Sequence, residues 1–512
     1  MRSDFANHPG PFAPMRNFFS AVLAAVCALA PTAGLAETVR LTTPIVEGSS
    51  LYTQSQLVDI FAQALGRTVS PETIGALVTS IEARYREDGF IAPVIAVEPS
   101  SVDSGTPRLH VREARISRVE VYGDAGPNNG RVQHYVDTIR RQSVIHRKQS
   151  RDWLNAIGRL PGVSVRASFE PDSTAQNQFV LVINLSYRAG SGAVDVSNRG
   201  TREVGRTIIS ARLGVNGVLH WQESVYLDAA ASTAFDRYHY EALSLVRPLG
   251  TGTITLMGSR SDAQPYAQET TYQRDRGAVR VNMPLWQSES LETAYIVGFG
   301  AWTARVGDDI GPVREERIRK VEAGLKMVWR GAGRMRLSSL IARGLPAFGA
   351  DSFTYVYDLE PAPFEFTKAL LDLDYSLALG AGFRGVLEFS AQLANGGLPG
   401  AEQFGFGGDS LGKAFDPGVL TGENGVSAGF SLQRSVAWVP GVDEAALFAG
   451  ADYGRVWGIA VKRDDAASAS LGVTSRLARL TGSFEVAYPI NRPADMEIMR
   501  GLRSFFSLRM GF

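Results

Sequence analysis

Residues 371–379 read Leu-Asp-Leu-Asp-Tyr-Ser-Leu-Ala-Leu. Apolar side chains fall at every second place and polar or small ones between them, which is the period of a β-strand with two unlike faces. Leu387, Phe389 and Leu393 alternate in the same way with Glu388, Ser390 and Gln392, and Leu325, Met327 and Trp329 with Lys326 and Arg330. In a soluble sandwich the apolar face meets a core and the polar face meets water. In a transmembrane barrel the apolar face meets lipid and the charges line a wet lumen. Two acids at alternate places in one strand favour the barrel, provided that the chain is exported.

The N-terminus supplies that condition. Met15-Arg16-Asn17 precedes the apolar run 18–30, which is too short to span a bilayer core of about 30 Å as a helix. Gly34-Leu35-Ala36 fits the small-x-small rule for signal cleavage. Residues 1–36 are therefore expected to be a signal peptide, with Met15 the better initiator and the mature chain beginning near Glu37. The one cysteine, Cys27, falls inside that leader, so neither a disulfide framework nor a multi-cysteine metal site is expected. No apolar stretch of transmembrane-helix length follows.

Composition narrows the function classes. The 512 residues carry 52 Lys+Arg and 52 Asp+Glu, so the formal net charge is zero and the basic excess of a nucleic-acid binder is missing. The histidines after the leader, at 110, 134, 146, 220 and 239, show no metal-ligand spacing. No G-x-x-x-x-G-K-[ST] loop is present to hold a nucleotide. No cofactor or metal is expected, and no enzyme. Gly408-Asp409-Ser410-Leu411-Gly412 spells the hydrolase elbow G-x-S-x-G, but that chemistry needs a strand–turn–helix context and a histidine base, and no histidine follows residue 239.

Alternation continues from residue 189 to 512, where about sixteen strand-like segments can be counted at the spacing of a barrel of short turns and longer loops. The last of them, 504–512, places Phe506, Leu508, Met510 and Phe512 on one face. Before residue 189 the pattern differs. Leu57, Ile60, Phe61 and Leu65, then Ile74, Leu77, Val78, Ile81 and Tyr85, recur at helical spacing, with Ser70-Pro71 as cap and first residue of the second helix. A strand-like stretch from Val39 precedes them, and 91–99 and 107–114 read as strands after them. The order strand–helix–helix–strand–strand then repeats, with helices over 130–142 and 146–162. The domains expected are thus 37–114, 115–188 and a barrel over 189–512.

The two small units resemble POTRA domains, the periplasmic docking modules of outer-membrane transporters. Tyr85-x-x-x-Gly89-Phe90 and Leu160-Pro161-Gly162-Val163 stand where that family turns from helix to strand. The C-terminal strand is similar to the signal read by the barrel-assembly machinery, which the resemblance makes a partner for insertion, with outer-membrane lipid around the barrel. Residues 398–425 (LPGAEQFGFGGDSLGKAFDPGVLTGENG) combine loop composition with Phe404, Phe406, Leu411, Phe415 and Leu420. They resemble the loop that folds back into the barrel in two-partner secretion transporters, the haemolysin-activator and filamentous-haemagglutinin exporters. The family's tip motif matches Gly412, Lys413, Ala414 and Phe415 here, followed by Asp416. Lysine stands where the family has arginine, which removes the planar fork. Asp452-Tyr453-Gly454 matches its Asp-x-Gly, so the resemblance implies a lumen ion pair between Lys413 and Asp452. Ser197-Asn198-Arg199-Gly200-Thr201 with Gly205-Arg206, and 484–489, match its first strand and its penultimate one.

The resemblance implies α+β POTRA units followed by a transmembrane antiparallel barrel in the outer membrane of a Gram-negative bacterium. It implies export of a large unfolded exoprotein, adhesin- or haemolysin-like and β-helical, without ATP. For capture of that partner, strand addition at the edge 163–170 is expected, with Val163, Val165, Ala167 and Phe169 as the contact positions, flanked by Arg147, Lys148, Arg151 and Arg159. A barrel- or autotransporter-assembly factor of the same superfamily and a passive porin-like channel are the alternatives.

Overall fold

Apolar residues three and four apart build the first helices. Leu57 and Phe61 lie on Gln54–Ala62, and Ile74, Leu77, Ile81 and Tyr85 on Pro71–Glu87, all six buried. Ser70 caps the second helix by accepting the Thr73 N–H at 3.2 Å. Both helices belong with a three-stranded sheet in the spatial order Ile45–Glu47, Arg108–Arg112, Val94–Val97. The first pair is parallel and the second antiparallel, so the helices form the crossover that a parallel pair requires. The strand expected from Val39 begins at Ile45. Before it, Pro44 has no N–H to give a ladder, and the Thr42 hydroxyl donates to the Gly105 carbonyl at 2.8 Å.

The repeat follows: Arg115–Gly123, helices Asn129–Arg140 and Arg147–Gly158, then Val163–Pro171 and Gln178–Tyr187. Its sheet has Gln178–Tyr187 in the middle, so Val163–Pro171 is an edge strand. Val132, Val136, Ile139 and Ile157 pack on Leu181 and Ile183. The two repeats are joined by backbone, Ile91 N–H to the Ile145 carbonyl at 3.2 Å and Arg147 N–H to that of Gly89 at 2.9 Å. The Phe90 and His146 rings meet edge-on at 4.8 Å beside this joint. At the same joint the buried Glu113 carboxylate accepts the Ser50 and Leu51 N–H groups, the Ser50 hydroxyl, the Tyr85 hydroxyl and one arm of Arg115, at 2.5–3.1 Å.

Tyr187 ends this compact unit and Arg188 opens the second. In the second, sixteen long strands and the short segment Asp351–Thr354 close into an antiparallel barrel. Leu371, Leu379, Leu387 and Leu393 are exposed on the outer wall, whereas Lys368 and Gln392, on the same strands, are buried inside. Inward polar groups pair across strands: Asp372 with the Ser390 hydroxyl, and Asp374 with Arg336 at 3.4 Å. Phe506, Leu508, Met510 and Phe512 all face outward. Closure joins Arg503–Gly511 to Gly190–Ser197 over five residue pairs, against eight or more at most other seams.

The computed structural model describes residues 39–512, apart from 143, 234, 267–269, 357–359, 437–440, 460–462 and 494–500. The leader expected over 1–36 lies outside the described residues. Among them, no helix is long and apolar enough to cross a membrane.

Candidate functional site: the loop in the barrel lumen

The loop between strands Phe383–Ala394 and Asn424–Val436 has its own structure. A single 3-10 turn, Gly400–Glu402, leads into Phe404–Phe406, which pairs antiparallel with Leu420–Gly422. Phe404, Phe406, Phe415 and Leu420 are buried with Val456, Ala466, Ala487 and Phe505 of the wall. Phe505 neighbours the outward Phe506, so these wall positions belong to the inner face and the loop packs inside the lumen. The Phe406 ring rests directly on Gly454, leaving no room there for a side chain. The G-x-S-x-G stretch falls beyond Phe406 with no helix after it, so the nucleophile elbow's strand–turn–helix context is missing.

At the tip, Asp452 and Ser468 stand opposite one another on neighbouring strands. The Ser468 hydroxyl donates to Asp452 Oδ1 at 2.6 Å and accepts the Ala414 N–H at 3.3 Å. Through Ser468, Asp452 therefore holds the main chain of the tip. The ion pair expected between Lys413 and Asp452 is replaced: Lys413 Nζ lies 3.5 Å from Glu485 Oε1 and 5.1 Å from the centre of the Phe448 ring. The physical reason is that Asp452 is engaged by the Ser468 hydroxyl, whereas the Lys413 ammonium finds both an acid, Glu485, and an aromatic face, Phe448, on the same side of the wall.

The planar cation that Lys413 lacks is present in Arg199. Its guanidinium pairs with Glu485, donates to the Gly408 and Lys413 carbonyls at 3.1 and 2.9 Å, and stacks over Phe505 at 3.8 Å. Arg503, on the last strand, donates to the Ala414 carbonyl at 2.9 Å and pairs with Asp416. Sequence reasoning placed Arg199 beside the first barrel strand and Glu485 on the penultimate one without a contact for either, and passed over Arg503. The signal for Glu485 and Arg503 was alternation, since each adjoins an outward apolar residue, Phe484 and Leu502.

The stem carries a second cluster that sequence reasoning missed. Glu402 is 4% exposed, and its carboxylate accepts Lys320 Nζ at 2.8 and 2.9 Å, Lys368 Nζ at 2.9 Å and Trp302 Nε1 at 2.9 Å. Its carbonyl accepts Lys368 Nζ at 2.7 Å and Gln392 Nε2 at 3.0 Å. Gln392 also donates to the Glu423 carbonyl at 3.0 Å, so one wall side chain holds both legs of the loop.

At the N-terminal edge strand the structure alters the expectation. Val163 is buried, and Val165, Ala167 and Phe169 pack partly buried against the core beneath the helices. Ser164, Arg166, Ser168 and Glu170 face solvent instead, because period-two alternation turns the apolar set inward. What the edge offers outward is its main chain.

Comparison with known proteins follows this architecture. The chain matches the family described as haemolysin secretion/activation protein ShlB/FhaC/HecB over residues 180–475, more than half its length, and the POTRA domain of ShlB type over residues 40–114. The outer membrane transporter CdiB of Escherichia coli O6:K15:H31 (strain 536 / UPEC) is 20% identical over 467 residues, 88% of this chain and 78% of that protein. The structure of CdiB from Escherichia coli superposes with a TM-score of 0.77 at 18% identity, covering 94% of this chain and 93% of that one. CdiB from Acinetobacter baumannii gives 0.70 at 14% identity, covering 99% and 95%.

Proposed function

We propose that this chain, which belongs to the haemolysin secretion/activation protein family ShlB/FhaC/HecB, exports one partner exoprotein through its barrel lumen in an unfolded state. The protein is a component of two-partner secretion in the outer membrane, with periplasmic POTRA units. The observation that carries the proposal is the loop 398–425, folded into the lumen and held at its tip by polar contacts to several wall strands. Contacts of this kind can be exchanged for water or for a passing chain at modest cost, whereas a wall strand cannot be.

Capture in the periplasm would use the free main chain of Val163–Pro171, which accepts an incoming strand with little regard to its sequence. Exposed Arg147 and Lys148 on the adjoining helix would draw an acidic segment towards it. Displacement of the loop would open the lumen, and folding of the cargo outside would make passage directional. No nucleotide-binding loop is present in the sequence, which supports transport without ATP hydrolysis.

The test compares proteomes of medium, cell surface and outer membrane with and without the gene, and with Lys413→Ala. Loss of one large protein from medium or surface is expected on deletion, and a partial loss with normal barrel insertion for Lys413→Ala. A general fall in barrel proteins would mean an assembly factor, and no change would mean a passive channel.

A further inference from the structure

The loop is held at two places by two different sets of strands. The stem is held through Trp302, Lys320, Lys368 and Gln392, on strands Leu291–Gly307, Pro312–Arg330, Thr367–Gly380 and Phe383–Ala394. The tip is held through Asp452, Ser468, Glu485, Arg503 and Arg199, from the strands after the loop and from just beyond the first barrel strand. The chemistry of the two attachments differs. At the stem, one buried carboxylate faces two buried ammonium groups and an indole N–H. Removing it would leave two cations uncompensated inside the wall, the costly way to break a buried ion cluster. At the tip, hydrogen bonds to backbone, each replaceable by water, stand beside two ion pairs, Arg503–Asp416 and Lys413–Glu485, that are more exposed than the Glu402 cluster, and beside the buried Phe415.

The backbone changes character between the two. Gly407 and Gly408 follow the outgoing strand Phe404–Phe406 with φ of +115° and +122°, and Gly418 precedes the returning strand Leu420–Gly422 with φ of +72°. Each leg thus passes, just beyond the paired stem, through a conformation that residues with a Cβ rarely adopt.

We propose that Glu402 is a positioning residue that pins the stem to the wall, and that only residues 407–419 swing out of the lumen, about Gly407-Gly408 and Gly418. This rests on the reading that loop displacement opens the channel, and it says which part is displaced. The transported chain would then pass beside a standing hairpin rather than through a lumen emptied of the whole loop.

Paired cysteines in a Cys27→Ser background test this on purified full-length protein, read as ionic current across planar bilayers in potassium chloride. Gly422→Cys with Val456→Cys locks stem to wall: a Cβ at 422 would stand 3.0 Å from the Val456 Cβ, and a shift of about half an ångström brings the pair to the usual disulfide separation of about 3.5–4.5 Å. Ala414→Cys with Ser468→Cys locks tip to wall, where the Ala414 N–H already meets the Ser468 hydroxyl at 3.3 Å. The expected result is loss of large opening steps in the oxidised tip lock, their return on reduction, and unaltered steps in the oxidised stem lock. Loss of the steps in both locks, restored in both by reduction, would overturn the hinge while leaving loop gating standing. Unaltered steps in both would remove loop gating itself and the hinge with it. A second measurement addresses Glu402 directly. Glu402→Gln keeps the shape but not the charge and should raise the resting current, and the stem lock in the same chain should return it to the wild-type level. A resting current unchanged by Glu402→Gln would overturn the pinning role.

Discussion

Glu113 and Glu402 are both buried carboxylates with several donors, yet they do different work. Glu113 lies in a unit whose helices and sheet already enclose an apolar core of Leu57, Phe61, Leu77, Ile81 and Tyr85. Its bonds to Ser50, Leu51 and Tyr85 fasten the end of the first repeat to that repeat's own body, and its bond to Arg115 reaches the first residue of the next. Glu402 lies in a lumen whose walls turn their apolar side chains outward, away from it. There, ion pairs share the work of fixing position with two apolar clusters, one of Phe404, Phe406, Phe415 and Leu420 on the wall and one of Leu398 with Trp302, Ile318 and Phe366. In the first region polar contacts refine a placement that hydrophobic burial has made; in the second they take an equal part in making it.

The contrast can be broken most sharply with Tyr85→Ala. Loss of this fully buried ring should cost the N-terminal unit about 3–5 kcal/mol, read from urea unfolding. Leu371→Ala on the outer wall should leave barrel stability in detergent far less altered, and an equal loss in both would contradict the difference. Next, Glu402→Ala should destabilise loop docking by roughly 3 kcal/mol by stranding Lys320 and Lys368, seen as faster proteolysis of 398–425. Replacing Glu402, Lys320 and Lys368 together by Leu, Met and Met should recover most of that loss.

A third prediction concerns pH. Burial pushes the Glu113 carboxyl upward, but its bonds from Ser50, Tyr85 and Leu51 outweigh this and hold it below the usual carboxylate range. A depressed folded value means that its stabilisation is present above the unfolded value and is lost as pH falls through the folded one. The N-terminal unit should therefore weaken below about pH 4.5, and Glu113→Gln, at a cost of about 1–2 kcal/mol at neutral pH, should flatten that limb of the curve. Smallest of all, Arg199→Lys should cost about 1 kcal/mol of tip docking, because it keeps the charge and gives up the fork that holds Glu485 and two carbonyls at once. Limited proteolysis of the loop would register it.

Much of this architecture was legible because lipid and water sort side chains strictly. Leu371 to Leu379 alternate since one face meets acyl chains and the other a wet lumen, and the two helical repeats announce a different solvent arrangement. The same alternation sorts the edge strand at Val163, Val165, Ala167 and Phe169: in a sheet covered by helices these side chains turn to the core, and the edge offers its main chain. Pairing inside the lumen was less legible. Asp452 and Glu485 both point inward beside the loop tip, and nothing in their spacing says which of them meets the Lys413 ammonium and which the main chain. Glu402 was hidden for a related reason: its partners come from residues 302, 320 and 368, and no local pattern joins them.

The grip on the loop tip also sets an order of events in the making of the barrel. Arg199 comes at the beginning of the barrel sequence, and Glu485, Arg503 and Phe505 come near its end. The tip cannot be fully seated until the last strands are beside the first. Docking of the loop is thus a late, non-local step of folding, and a seated tip reports that the wall around it is complete.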